Sequence, residues 1–213
     1  MIGAISPLRI VDGRAVPVAG TWEFDSGHTE VAFEGRHLMV STIRGSFRRF
    51  SGRIHVADKP EESRAELTIE AASVESGFKD RDDHLRSADW FDVARYPTIH
   101  FQSNGIRHVS GKRWRASGNL TIREVGRRVE IDIEFGGATI DPWGHQKIGG
   151  IVRATVNRQD FGLNWNMPLK AGGILVGNEI RLIVSGEAVC RASEQPGEAT
   201  PEQLDAGTVA VRG

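Results

Sequence analysis

Apolar residues recur at every second position through most of this chain, and that period restricts the fold more than any other feature. In TWEFDSGHTEVAFEGRH (21–37), two alternating runs flank a polar break at Asp25-Ser26-Gly27-His28. Val31, Phe33, Gly35 and His37 share one face of the second run, and Glu30, Glu34 and Arg36 share the other. Leu67 and Ile69 alternate with Glu66, Thr68 and Glu70. Trp114, Ala116, Leu120 and Ile122 alternate with Arg115, Ser117, Asn119 and Arg123. A turn is expected at Val125-Gly126, after which Val129, Ile131, Ile133 and Phe135 share a face. Similar runs occupy TIHFQS, GGIVRATVNR and NEIRLIVSGEAV. A period of two with one polar side is the mark of half-buried antiparallel strands, not of a parallel sheet buried on both faces.

Eight or so such strands must hide their edges, either by closing on themselves or by packing as two sheets. The expected fold is all-β: one antiparallel eight-stranded lipocalin-like barrel with one short helix. The helix is expected in KDRDDHLRSADWF, with Asp80 as its cap, and ends before Tyr96-Pro97. The expected divisions are an N-terminal extension over 1–19, a barrel over 20–190 and a polar, flexible tail over 191–213.

Other features bound the function. A net charge of −1 across 213 residues gives no global field for nucleic acid. Cys190 is the single cysteine, which excludes an intramolecular disulfide and multi-cysteine zinc. The N-terminal residues show no basic start followed by an unbroken apolar core, and no segment is long enough for a membrane helix, so a cytoplasmic protein is expected. Seven histidines (His28, His37, His55, His84, His100, His108 and His145) form no close same-face pair of the kind that holds zinc. No metal, cofactor or catalytic residue is expected.

The order Trp22, Asp25, His28, Phe33, His37, then Gly45-Ser46-Phe47, Phe50 and Gly52, resembles the YceI-like family of bacterial lipocalin-like barrels. The likeness continues through Arg81-Asp82-Asp83-His84-Leu85, Trp90-Phe91, Tyr96-Pro97, Phe101 and Ser103. It resumes at Gly118-Asn119-Leu120-Thr121-Ile122-Arg123, Asn157-Arg158-Gln159-Asp160-Phe161-Gly162 and Gly177-Asn178-Glu179-Ile180. The resemblance covers roughly residues 20 to 190. It implies a barrel that binds polyisoprenoids or other long-chain amphiphiles in its lumen.

The reading is a non-enzymatic barrel that stores or carries a polyisoprenoid (an isoprenoid quinone or polyprenyl phosphate) or a fatty-acid-like lipid. Each buried methylene contributes about 0.8 kcal/mol, so about 20 carbons give on the order of 10 kcal/mol or more before ordering costs. The proposed wall is Phe33, Leu67, Ile69, Ile99, Phe101, Trp114, Ala116, Leu120, Ile122, Ile131, Ile133, Val152, Val156, Leu182 and Val184. His37 stays in phase with Phe33 and is expected at the interior or rim, as a hydrogen-bonded core imidazole or a donor to a ligand's head. Arg158 follows Val152, Ala154 and Val156, so its guanidinium is expected to turn inward and close one barrel end by pairing with Asp25 or Asp82, or else to bind a phosphate or carbonyl head. Trp143, in a turn after Asp141-Pro142, either gates a mouth or stands exposed. Two alternatives stay open: a solid-core barrel acting as a stress-response or interaction protein, and an enzyme using His37 or His84 on a bound isoprenoid. A homodimer is also left open.

Overall fold

The alternating runs become strands in the computed structural model of the protein, which describes residues 6–169 and 173–191. In chain order they are β1 (Leu8–Val11), β2 (Arg14–Pro17), β3 (Gly20–Phe24), β4 (Glu30–His37), β5 (Ser41–Phe47), β6 (Phe50–Val56), β7 (Arg64–Glu70) and β8 (Val74–Glu75). The helix α1 (Lys79–Arg86) follows, then β9 (Thr98–Ser110), β10 (Arg113–Ile122), β11 (Val125–Ile140), β12 (Gln146–Asn157) and β13 (Val176–Arg191). Strands β3, β6, β7, β9, β10, β11, β12 and β13 pair in that order, and β13 returns to β3. The result is a closed eight-stranded antiparallel barrel, and closure removes the unpaired edges that an open sheet would present.

One end of the barrel is prolonged. The last residues of β13, Ala188–Arg191, pair with β3, while its earlier residues from Val176 to Ser185 pair with β4. Strands β3 and β4 therefore act as one long strand interrupted at residues 25–29. In the interruption, Asp25 Oδ1 accepts from the Gly27 N–H at 3.0 Å, the short-range turn that aspartate favours. The Thr29 hydroxyl replaces the lost ladder by donating to the Glu187 carbonyl (3.0 Å) and accepting from its N–H (3.1 Å). Gly186 lies beside this crossing, where a Cβ would stand 2.6 Å from the His28 carbonyl oxygen.

Two local expectations are corrected. The β10–β11 turn is made by Arg123 and Glu124, with φ of 50° and 65°, and Val125 already belongs to β11. A two-residue loop with positive φ at both central positions is normally marked by glycine, and here it is not. Arg123 is held by Tyr96, its guanidinium 5.7 Å from the ring centre. Helix α1 has Phe78, not Asp80, as its N-cap and no side-chain cap. Instead the buried Asp82 reaches back to accept from the Ser76 N–H (2.8 Å) and hydroxyl, while Arg81 donates to the Ser76 hydroxyl and carbonyl at 2.7 Å each. These bonds tether the helix to the end of β8.

At the N-terminus, β1 and β2 form a hairpin of their own around Asp12 and Gly13, whose φ values are 48° and 74°. The expected tail lies outside the described residues apart from Arg191, which ends β13 opposite Thr21 and donates to Glu23 at 2.7 Å.

Candidate functional site

The inward faces of the strands enclose two apolar cavities stacked along the barrel axis, of about 200 Å³ and about 160 Å³. Their order follows from the strands. On β11, Val129 lines the smaller cavity, Ile133 the larger, and Ile131 between them lines both. On β12 the sequence Ile148, Val152, Val156 makes the same passage, as does Ala188, Val184, Ile180 on β13. Ile131, Val152 and Val184 thus form a shared waist. The smaller cavity lies toward α1, and the larger toward the N-terminal hairpin.

Every apolar residue proposed for the wall lines one cavity or both. Phe33, Leu67, Ile69, Ile99, Phe101, Leu120, Ile122, Val156 and Leu182 line the smaller, while Trp114, Ala116 and Ile133 line the larger. Packing around the smaller cavity is largely aromatic. Phe47 stands 5.6 Å from both Phe33 and Phe91, and Trp90 stands 5.8 Å from Trp165. The Phe101 ring packs against Gly118 on the neighbouring strand, where a Cβ would come within 2.6 Å of it. The bulge that shifts the β9–β10 register between Ser117 and Gly118 sits at this contact.

Arg158 is 1% exposed and lines the smaller cavity. The expected ion pair with Asp25 or Asp82 is not formed. Nε donates to the Gly177 carbonyl at 3.0 Å; Nη1 donates to the carbonyls of Leu163 and Trp165 (2.9 Å to the latter); Nη2 donates to the Val176 carbonyl (3.3 Å) and to Asn178 Oδ1 (3.2 Å). A guanidinium has five N–H donors, and five acceptors from the 163–178 segment meet them. Burial draws its pKa below the usual arginine value. With its donors committed to the fold, Arg158 ties the segment around Leu163 and Trp165 to the start of β13 beside this cavity.

His37 lines neither cavity. It stands half-buried at the end of β4, opposite Ser41 and Val176. The strand keeps its period, but beyond Gly35 it has passed the cavity's end, so the inward phase no longer leads to the lumen. His84 also lies outside the cavity walls, bonded through Nε2 to Asp89 at 3.1 Å and edge-on to Trp165 at 4.4 Å. His100 is exposed and bonded to Thr68 and Thr98. Trp143 is 80% exposed in its turn and lines neither cavity.

Asp25, His28 and Glu187 converge across the strands with ligand atoms within 4.8 Å of one another. A cation already sits there: Lys147 Nζ lies 3.0 Å from Asp25 Oδ2 and 2.9 Å from Glu187 Oε2, and His28 Nδ1 is 2.8 Å from Asp25 Oδ2. The N-terminal hairpin, which the alternation did not assign to the lumen, supplies Ala15, Val16 and Pro17 to the larger cavity. The signal for it is Asp12-Gly13, a hairpin dipeptide set between short apolar runs.

A closed antiparallel barrel around a nearly all-apolar lumen defines a class of lipocalin-like barrels. A model of the YceI-like domain matches residues 22–188, and the chain belongs to the YceI-like family. A UPF0312 protein of Staphylococcus aureus is 32% identical over 167 residues, covering 77% of this chain and 94% of the relative. Among solved structures, a YCEI protein of Campylobacter jejuni is 26% identical with a TM-score of 0.63, covering 74% of this chain and 90% of that one. A polyisoprenoid-binding domain from Saccharophagus degradans shares the fold at 14% identity, with a TM-score of 0.58 over 82% of this chain and all of that one.

Proposed function

We propose that the protein binds one long apolar chain, of the polyisoprenoid class, along the barrel axis, and holds or carries it without transforming it. The observation that carries this reading is the pair of apolar cavities joined at Ile131, Val152 and Val184. The structural likeness to a polyisoprenoid-binding domain of Saccharophagus degradans supports the ligand class. An apolar void of about 150 Å³ stays dry and accepts a benzene-sized group. By that measure each cavity takes a group of about that size as it stands, and a longer chain spreads the side chains that divide them.

The driving force is burial, with about 0.8 kcal/mol from each methylene withdrawn from water. A packed core would leave no such voids, which favours the ligand-binding reading over the solid-core one. Neither His37 nor His84 faces the lumen, which supports binding rather than turnover. Mass spectrometry of an organic-solvent extract of the purified protein tests the proposal. An isoprenoid or related lipid at about one per chain is expected. A lipid-free extract, together with no uptake of long-chain probes, overturns it.

A further inference from the structure

The hairpin of β1 and β2 lies ahead of residues 22–188, the span matched by the family model, yet it forms a wall of the larger cavity. Val16 is 3% exposed although its strand has only β1 as a partner, so its burial comes from the barrel it covers. The hairpin is fastened to the rim. Arg9 donates through Nη2 to the Ala57 carbonyl (2.6 Å) and through Nη1 to the Asp58 carbonyl (2.8 Å), just past the end of β6. Its Nε donates to Pro17 of the opposite hairpin strand at 3.2 Å, so one side chain locks the hairpin both to itself and to the barrel. Arg14 adds a contact with Glu61 at 3.2 Å, and its guanidinium lies 5.6 Å from the ring centre of Trp114, itself a wall residue.

We infer that this hairpin is a stopper that makes the lumen blind at one end, and that Val16 sets the greatest length of chain the barrel accepts. The inference rests on the proposed binding of an apolar chain along the axis. A chain lying along the axis passes the waist and fills the larger cavity until its end meets Val16. Up to that length each added methylene is buried and raises affinity about fourfold. Beyond it the surplus carbons stay in water, and affinity levels off. Nothing in the stopper recognises a headgroup, so the selection is by length alone.

Isothermal titration calorimetry of the full chain with straight-chain primary alcohols of increasing length reads this directly. The wild type should gain affinity with each carbon up to a break and then level off. Val16→Ala should move the break to longer alcohols and Val16→Phe to shorter ones. Arg9→Ala, which removes the bonds to Ala57, Asp58 and Pro17, should blur or abolish the break while leaving short alcohols bound as in the wild type. Melting temperatures of the three variants show that each is folded, and Arg9→Ala tests the stopper without substituting any residue that lines the cavity. A break at the same length in all three variants overturns the stopper, as does affinity that climbs without a break in the wild type. Both results leave the lumen reading intact. If no alcohol of any length binds the wild type, the lumen reading itself fails, and the stopper with it.

Discussion

The guanidinium carbon of Arg158 stands 5.1 Å from the ring centre of Trp90, so the most deeply buried charge in the described barrel lies over an aromatic wall and not against a carboxylate. The carbonyls of Leu163, Trp165, Val176 and Gly177 all converge on that guanidinium. Replacing it with an apolar side chain leaves several acceptors buried without donors, each at a cost of about 1–3 kcal/mol. Arg158→Met should therefore lower stability by about 3 kcal/mol or more, measured by urea unfolding. Arg158→Lys should also be destabilising, because a compact ammonium with three donors cannot fork between the same acceptors.

The Asp25–Lys147 pair makes stability depend on acid. The Lys147 ammonium, followed by His28 and then the Gly27 N–H, holds the Asp25 carboxyl down to about 2. A carboxyl depressed in the folded state stabilises fully above its unfolded value of about 4, and the contribution is lost as pH falls toward about 2. The side chain keeps 21% of its exposure, so about 1–2 kcal/mol is at stake after solvent screening. The stability of Asp25→Asn should fall less steeply than that of the wild type between these pH values. An identical slope in both proteins would show that the pair contributes nothing.

Gly118→Ala should damage both fold and lumen. The added methyl would meet the Phe101 ring and the Gln102 carbonyl, and the carbonyl belongs to the paired strand and cannot swing away. A cost of about 1–3 kcal/mol is expected, along with weaker binding of long-chain probes as Phe101 is pushed into the smaller cavity. Paired melting and probe-binding measurements check both effects.

His37→Gln should leave folding and probe affinity near wild type, since the ring lies beyond the cavity and glutamine retains hydrogen-bonding capacity. Loss of a lipid-converting activity in this variant, with binding spared, would instead favour the enzyme reading.

Which way a strand residue faces was legible, because alternation is a local property. Trp114 and Ala116, or Val152 and Val156, needed no knowledge of their neighbours to be placed inward. Where a strand outruns the lumen was not legible. His37 keeps the phase of Phe33, but the length of the barrel is set by strands far away in sequence. The partners of Arg158 were hidden for a similar reason: four of the five are backbone carbonyls, at Leu163, Trp165, Val176 and Gly177, and a carbonyl leaves no trace in side-chain identity. At the β10–β11 turn, Arg123 and Glu124 take positive φ, so the usual glycine signal pointed two residues too late. The N-terminal hairpin was readable from Asp12-Gly13, but its docking on the rim depends on Arg9 meeting carbonyls at residues 57 and 58.

One apolar chain is proposed to occupy both cavities. Ala116 lines the larger cavity and Ala154 the smaller, on different strands and either side of the shared waist. Affinity for a fluorescent long-chain isoprenoid, measured on Ala116→Trp and Ala154→Trp proteins that melt near the wild-type temperature, distinguishes one occupant from two. One probe per wild-type chain is expected, with a loss of affinity of about tenfold or more in each variant as two or more methylenes' worth of contact is displaced. Either variant binding the probe as tightly as the wild type would contradict this expectation.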